Sequence, residues 1–176
     1  MTRFVPPLSH FFLATLPPPD VRRAIEDTVA LARSLWRRVD DDRLHVTLLG
    51  LGASSARPEA MIREWIRAID AAPPEAFHIV VDQLIVRPER VLVKGSEPLL
   101  GVLRCQTHLR EVLAGAAMRR AGAPLPVAHI TLAYACSAPP GAVPILPVSW
   151  RATEVVLIQS LVGHRTHRHL ARWILA

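Results

Sequence analysis

The sequence contains only two cysteines and no long apolar run. Cys105 and Cys136 lack CxxC spacing, and two thiols make a poor disulfide framework, so we expect both to be free thiols in a reducing cytoplasm. No run approaches the ~18 apolar residues of a membrane-spanning helix. Prolines interrupt the apolar stretch within residues 1–19, which argues against a signal peptide. These absences together favour a cytoplasmic protein that makes no contact with a membrane.

Aromatic side chains and lysine are also scarce. Aromatic residues make up 5% of the 176 residues and apolar residues 51%, so we expect a core of mainly Leu, Val, Ile and Ala. Lys94 is the one lysine among 21 basic residues, and the formal net charge is +6. An excess of arginine is typical of a GC-rich genome, but guanidinium also binds phosphate in a forked geometry. An anionic partner is therefore one of two open interpretations.

Hydrophobic periodicity predicts an alternation of strands and helices. We expect helices at residues 20–37, 58–71 and 97–120. We expect strands at 10–16, from 43 to about 51, at 77–86 and 90–94 as a hairpin, from 127 onwards, at 150–162 and at 169–175, with a proline-rich loop at 137–147. On the third helix the side chains expected to face the core are Leu99, Leu103, Leu109, Leu113 and Ala117. This order predicts a single α+β domain over residues 1–176 with mostly antiparallel strands.

Two tetrapeptides share the pattern His-x-Thr-Leu and lie in apolar runs typical of strands. The first begins at His45 and the second at His129, 84 residues later and close to half the chain away. Because alternate side chains of a strand share a face, each histidine points the same way as the threonine two residues on, Thr47 or Thr131. The spacing is consistent with two related halves that each contribute one motif to a shared cleft.

Such a pair of motifs suits the cleavage of a phosphoester by acid–base catalysis. Histidine has an ordinary pKa of about 6.5, so one ring can accept a proton while another donates one. Threonine hydroxyls can donate hydrogen bonds to the phosphate oxygens that gain charge in the transition state. A single His-x-Thr is more often structural, but two matching copies favour catalysis. The pattern predicts His45 and His129 as catalytic residues and Thr47 and Thr131 as phosphate-binding residues.

The segments around the motifs resemble those of a known family. The similar segments are residues 11–17 as an opening strand and turn, 44–52 and 128–133 as the two motifs, 90–93 as a hairpin strand, and 160–163 as a closing segment. They resemble the two-histidine phosphoesterases, in the branch of the RNA 2′,3′-cyclic phosphodiesterases and 2′-5′ RNA ligase-like proteins. The resemblance extends over nearly the whole chain, and the paired motifs are its most specific part.

This resemblance implies both a fold and a reaction. The implied fold is a bilobal, duplicated arrangement of mostly antiparallel sheets with flanking helices and a central cleft. The implied reaction is the hydrolysis of a 2′,3′-cyclic phosphate to a 2′-phosphomonoester without metal or cofactor. Carried to the matching positions, His45 is the general acid, His129 is the general base, and Thr47 and Thr131 hold the phosphate. The residues by themselves do not distinguish the acid from the base.

Two positions depart from the pattern of this family. Tyr134 stands where members often carry arginine, so either the phosphate takes its positive partner elsewhere or the tyrosine hydroxyl contributes. A regular strand would turn Tyr134 away from the face of His129. The closing segment, where members often carry a tyrosine, has His167 between His164 and His169. For this cluster a solvated strand end is the simplest interpretation, contact with an anionic substrate the second, and a metal site the third.

The leading hypothesis is a monomeric phosphodiesterase acting on RNA ends or small nucleotides that carry a 2′,3′-cyclic phosphate. Tyr134 and Phe12 are candidate substrate contacts, Phe12 by stacking on a base, although an aromatic residue in a strand is more often part of the core. One alternative is a 2′-5′ RNA ligase that runs the same steps in reverse. Another is a non-catalytic module that binds RNA or phosphate with the motifs as an anion cradle.

Overall fold

The computed structural model describes residues 8–28, 37–40, 43–54, 58–115, 125–134, 139–164 and 166–176. Nine strands and three helices lie in these ranges. The strands are β1 (Ser9–Thr15), β2 (Arg37–Arg38), β3 (Val46–Ser54), β4 (Phe77–Arg87), β5 (Arg90–Lys94), β6 (Ile130–Tyr134), β7 (Gly141–Ala152), β8 (Glu154–Leu161) and β9 (Thr166–Ile174). The helices are α1 (Pro19–Thr28), α2 (Glu59–Ala71) and α3 (Leu100–Leu113).

The strands form one sheet in the order β7-β4-β5-β6-β3-β1-β8-β9, and β2 pairs with β6 beside this path. Every strand pairing of the described residues is antiparallel. The predicted α+β class with antiparallel strands is therefore confirmed. The strands that carry the two motifs, β3 and β6, are neighbours in the middle of this order. Each ends a run of four strands, so the motifs meet where the two halves of the sheet join.

Aliphatic side chains form most of the core, as the composition predicts. Leu13, Leu48 and Ile130 on the central strands are fully buried. Trp65 and Ile69 on α2 are buried in the same cluster. This helix lies where the periodicity predicts it, because its apolar residues recur every three or four positions and so form one stripe. The motif strands thus have one face in the core, and their polar side chains belong to the other face.

Two of the predicted helices differ from the structure in length or in buried face. The first was expected to extend to Arg37, but Arg37 lies in β2, where it pairs with Tyr134. The third was expected to bury Leu103, but this side chain is 39% exposed. Position 117 lies outside the described residues. The residues that α3 buries are Val102, Cys105, Gln106, Leu109 and Leu113. The prediction was based on the positions of the leucines. The helix instead buries a stripe of residues with the same spacing that includes Gln106 and Cys105.

The predicted loop at 137–147 is wrong from residue 141 onwards, because β7 begins at Gly141. The prediction rested on prolines, including Pro144 and Pro147. A proline cannot donate a ladder hydrogen bond, but β7 is an edge strand, where such a donor is not required. The single strand predicted at 150–162 is also two strands. Thr153 lies between them, and β7 and β8 belong to opposite halves of the sheet.

Cys105 is a buried free thiol, as predicted, and burial raises its pKa to about 12. A thiol with so high a pKa stays protonated near neutrality and is a poor nucleophile. Cys136 lies outside the described residues. Across the described parts of the chain, no helix has both the length and the apolar character needed to cross a membrane.

Candidate active site

The strands β3 and β6 meet at one residue pair, in which Val46 lies opposite Ile130. Each of these residues directly follows a motif histidine, and their side chains are only 1% and 0% exposed. The histidines and threonines on either side of them therefore belong to the other face of the sheet. In an antiparallel pair, the residue before one member lies across from the residue after the other. Each motif histidine is thus placed across from the threonine of the other motif.

Both motif strands carry a β-bulge at the leucine that ends the tetrapeptide. On β3, Leu48 has no partner on β1, because Thr47 and Leu49 pair with consecutive residues there. On β6, Leu132 has no partner on β5, because Thr131 and Ala133 pair with consecutive residues. A bulge adds one residue to a strand and turns the following side chains to the other face. The two motifs therefore share the same local distortion.

The bulge on β6 decides the orientation of Tyr134. In a regular strand Tyr134 would share the buried face of Leu132 and Ile130. Because Leu132 and Ala133 are both buried, the alternation restarts after the bulge. Tyr134 is 49% exposed and lines the same cavity as Thr131. The sequence indicated this residue as a departure from the family but did not reveal the bulge.

The two imidazole rings are held by matching hydrogen bonds. Nδ1 of His45 donates to the carbonyl oxygen of Arg43 at 2.6 Å, and Nδ1 of His129 donates to that of Val127 at 2.7 Å. A carbonyl oxygen only accepts, so both Nδ1 atoms carry hydrogen. The Nε2 atom of each ring is therefore the one that exchanges a proton with a ligand. The backbone N–H of Arg43 itself donates to the carbonyl oxygen of Asp40 at 2.9 Å.

Two rings pack against the first histidine and form a cluster of three with it. The centroid of His45 lies 5.0 Å from that of Phe12 and 5.4 Å from that of His167, and the last two are 5.6 Å apart. Phe12 comes from β1, and His167 comes from β9, where it pairs with Ser160. Sequence reasoning favoured a solvated strand end for His167 and missed this contact. The one available signal was that the family often carries a tyrosine nearby.

The other two histidines of the cluster differ from His167 in their exposure to solvent. His164 and His169 are exposed, whereas His167 is partly buried. Within the described ranges, no group of three His, Cys, Asp or Glu side chains is arranged to hold a metal ion.

Two cavities lie at the paired motifs. One has a volume of about 330 Å³, and the predicted site residues that line it are Phe12, His45, Thr47, Thr131 and Tyr134. Arg43, which the sequence analysis did not single out, lines it too, as does His167, for which contact with an anionic substrate was the second interpretation. The other cavity has a volume of about 920 Å³, and His129 is among the residues that line it. The two histidines thus face neighbouring cavities, close enough that a charge on His129 lowers the pKa of His45.

Burial and neighbouring positive charge favour the neutral form of two rings of the first cavity. Burial lowers the pKa of His45, and the charges of His129 and Arg43 lower it further, against the hydrogen bond to the carbonyl oxygen of Arg43. Burial also lowers the pKa of His167 to about 4, with further contributions from His45, Arg43 and His169. Charging either ring in the free protein places a second cation in a partly desolvated cluster.

Replacing His167 by glutamine should reduce the loss of stability in acid. Since the pKa of His167 is about 4 in the folded protein and ~6.5 in the unfolded chain, the unfolded chain binds more protons between these values. The free energy of unfolding therefore falls as the pH is lowered from about 6.5 towards 4. We expect the urea midpoint of His167→Gln to fall less over this interval than that of the wild type.

His78→Gln is the matched control for this comparison, because His78 is an exposed histidine on β4. It should lose as much stability in acid as the wild type does. An equal acid-induced loss in His167→Gln and in the wild type would show that the His167 ring is solvated.

The solved structures that resemble this chain have the same fold. One is described as a phosphoesterase, with a TM-score of 0.77, 24% identity, and coverage of 97% of this chain and 99% of that chain. Apo LigT of E. coli has a TM-score of 0.73, 26% identity, and coverage of 97% and 99%. A protein of Thermus thermophilus has a TM-score of 0.76, 20% identity, and coverage of 94% and 97%. No family model and no curated protein matches the sequence.

The chain therefore has the fold of the two-histidine phosphoesterases, the superfamily of these neighbours, and both of its motifs lie side by side at the centre of the sheet. Within this class it is similar to LigT of E. coli over nearly the whole length of both chains. The resemblance inferred from the motifs and their flanks is thereby confirmed.

Proposed function

We propose that this protein is an RNA 2′,3′-cyclic phosphodiesterase, which hydrolyses the cyclic phosphate of RNA ends or nucleotides to a 2′-phosphomonoester without metal. The observation that carries the proposal is the pairing of Val46 with Ile130, because it brings both motifs to one face of the sheet. Each histidine ring is oriented in advance through Nδ1, so that Nε2 is free for proton transfer. Hydrolysis of a phosphodiester needs one such base and one such acid.

The proposed reaction removes one proton and delivers another. His129, as general base, takes a proton from water through Nε2 while the water oxygen forms a bond to phosphorus. The bond between phosphorus and the 3′ oxygen breaks, and His45, as general acid, protonates that oxygen. The phosphate stays on the 2′ oxygen, and the two rings return to their starting states by proton exchange with solvent. This assignment of acid and base follows the family resemblance.

The substrate itself must raise the pKa of His45 for this assignment to hold. In the free protein the pKa of His45 is lowered, whereas a general acid must be protonated in the complex. A phosphodiester anion in contact with a histidine favours its charged form and so raises its pKa. Thr47 and Thr131 donate to the non-bridging oxygens of the phosphate. Arg43 supplies the positive charge that the family often takes from the position of Tyr134, because it lines the same cavity.

Two side chains of the first cavity support a nucleotide as the substrate class. The ring of Phe12 offers a surface for stacking on a base, and Tyr134 offers a hydroxyl. LigT of E. coli has been solved in complex with 3′-AMP, with ATP, with NADP+ and with phosphate. These ligands of a similar protein support a nucleotide or an RNA end as the partner of this one.

Incubation with 2′,3′-cyclic AMP in EDTA tests the proposal. We expect turnover that EDTA does not reduce, with 2′-AMP as the product identified by chromatography against 2′-AMP and 3′-AMP standards. Since water attacks phosphorus and the 3′ oxygen leaves, 3′-AMP should be absent. Accumulation of 3′-AMP would reverse the proposed leaving group, and the absence of any turnover on this substrate and on an RNA with a cyclic phosphate end would refute the function.

A further inference from the structure

The catalytic face of the sheet continues from β6 onto β5 and β4. Leu92 lies opposite Thr131, and Arg90 lies opposite Tyr134, so these residues share one face. On β4, three residues pair with alternate residues of β5 and so belong to the same face. We call this surface the β4–β5 face, and its residues are Gln83, Ile85, Arg87, Arg90, Leu92 and Lys94.

All six residues of the β4–β5 face line the larger cavity, of about 920 Å³, that His129 also lines. It contains three cations, Arg87, Arg90 and Lys94, and no carboxylate is among the described residues lining the cavity. Ile85 and Leu92 lie between the cations. This arrangement suits a chain of nucleotides, because cations can bind the phosphates while the apolar side chains between them contact the bases and sugars.

The nearby carboxylates offset part of the charge of this face, that of Lys94 through Asp82. Both oxygens of Asp82 accept hydrogen bonds from Ser96, at 2.6 Å each, although the charge of Asp82 also interacts with that of Lys94. Glu89 lies in the exposed turn between β4 and β5. Nε of Arg90 is buried and has no hydrogen-bond partner within the described part of the chain. A buried donor without a partner favours an acceptor from a ligand.

We propose that the β4–β5 face binds the phosphodiester backbone of the nucleotides that precede a 2′,3′-cyclic phosphate. The cyclic phosphate ends an RNA chain, and the face adjoins the first cavity along β5, where Leu92 and Arg90 lie opposite Thr131 and Tyr134, and extends from there to β4. The preferred substrate is then an RNA end of several nucleotides rather than a mononucleotide. This inference rests on the proposed function, because it takes the reacting phosphate to lie between His45 and His129.

The test compares an oligonucleotide with a mononucleotide in a charge-removal variant. Arg87→Gln combined with Lys94→Gln removes two cations from the face. We expect the KM for a short RNA with a cyclic phosphate end to rise about tenfold, while the KM and kcat for 2′,3′-cyclic AMP change less than about twofold. Each lost phosphate contact should also reduce the slope of log affinity against log salt by about 0.7 for a single strand.

A matched control removes the same charge elsewhere. Arg63→Gln combined with Arg67→Gln acts on exposed positions of α2 and should leave both substrates unaffected. If the KM for the oligonucleotide rises as much in this control as in the first variant, the effect results from net charge alone and the proposal is overturned. The proposal is also overturned if the KM of the first variant changes equally for both substrates or does not change for either.

A binding measurement separates this inference from the proposed function. Fluorescence anisotropy with a labelled RNA that ends in a 3′-phosphate does not depend on turnover. If the wild type cleaves no cyclic phosphate but binds this RNA more tightly than the Arg87 and Lys94 double variant does, the proposed function fails and the RNA-binding face stands. If the two proteins bind this RNA equally, the face is not an RNA site, whatever the enzyme activity.

Discussion

Replacing either His45 or His129 by alanine should lower kcat for 2′,3′-cyclic AMP by about 10²- to 10⁴-fold, the usual contribution of a positioned general acid or base. Each ring is held by one hydrogen bond from Nδ1 to a carbonyl oxygen two residues earlier, and the two rings flank the junction of β3 and β6. Because each ring transfers a different proton, the loss of one ring means that solvent must carry out that proton transfer. Steady-state kinetics in EDTA measures the effect.

The variants also reveal which ring is the acid. The wild type should show a bell-shaped dependence of kcat/KM on pH, because the base must be neutral and the acid protonated. Residual activity of His129→Ala should lose the acidic limb, and that of His45→Ala should lose the alkaline limb. The opposite loss would exchange the two roles. His78→Ala, an exposed histidine on β4, is the control. Undiminished turnover in either motif variant would disprove the paired mechanism.

Replacing Thr47 or Thr131 by valine should lower kcat by about 10²- to 10³-fold, as the removal of one donor to a developing oxyanion does. Valine keeps the β-branched shape that suits a strand and removes only the hydroxyl. Both threonines line the first cavity beside His45, where they can donate to the non-bridging oxygens. These oxygens gain charge in the transition state, so the effect should fall on kcat more than on KM.

Thr153→Val is the control for these variants, because Thr153 is exposed and lies between β7 and β8, outside the first cavity. It should have full activity. An increase in KM with unchanged kcat for Thr47→Val or Thr131→Val would mean that the hydroxyls bind the ground state and the transition state equally. Equal kinetics of either variant and the wild type would exclude that threonine from the phosphate site.

Periodicity predicted those elements whose burial follows a simple rule. The buried stripe of α2 recurs at helical spacing, and the β4–β5 hairpin has the alternation and the turn residues of paired strands. Periodicity failed where the surroundings override a local preference. Pro144 predicts a loop, but β7 lies at a sheet edge and tolerates it. The inward face of α3 includes Gln106, which hydropathy assigns to solvent, because its amide donates to the carbonyl oxygen of Pro126.

The sequence by itself determined which side chains lie on the same face of a strand. Two copies of His-x-Thr-Leu in apolar runs specify a histidine and a threonine on one face of each strand, because strand geometry alternates with a period of two. The sequence also determined the class of chemistry, since two histidines can share the transfer of protons. Neither inference required knowledge of how the halves of the chain are arranged.

Only the tertiary structure decided how these side chains meet. The contact of Val46 with Ile130 joins residues 84 positions apart, and local sequence preference does not specify so distant a pairing. The bulge at Leu132, which turns Tyr134 into the cavity, depends on the register of β6 against β5. The contact of His167 with His45 depends on β9, the last strand, lying beside β8. Each of these results from packing between distant segments, which no short stretch of sequence encodes.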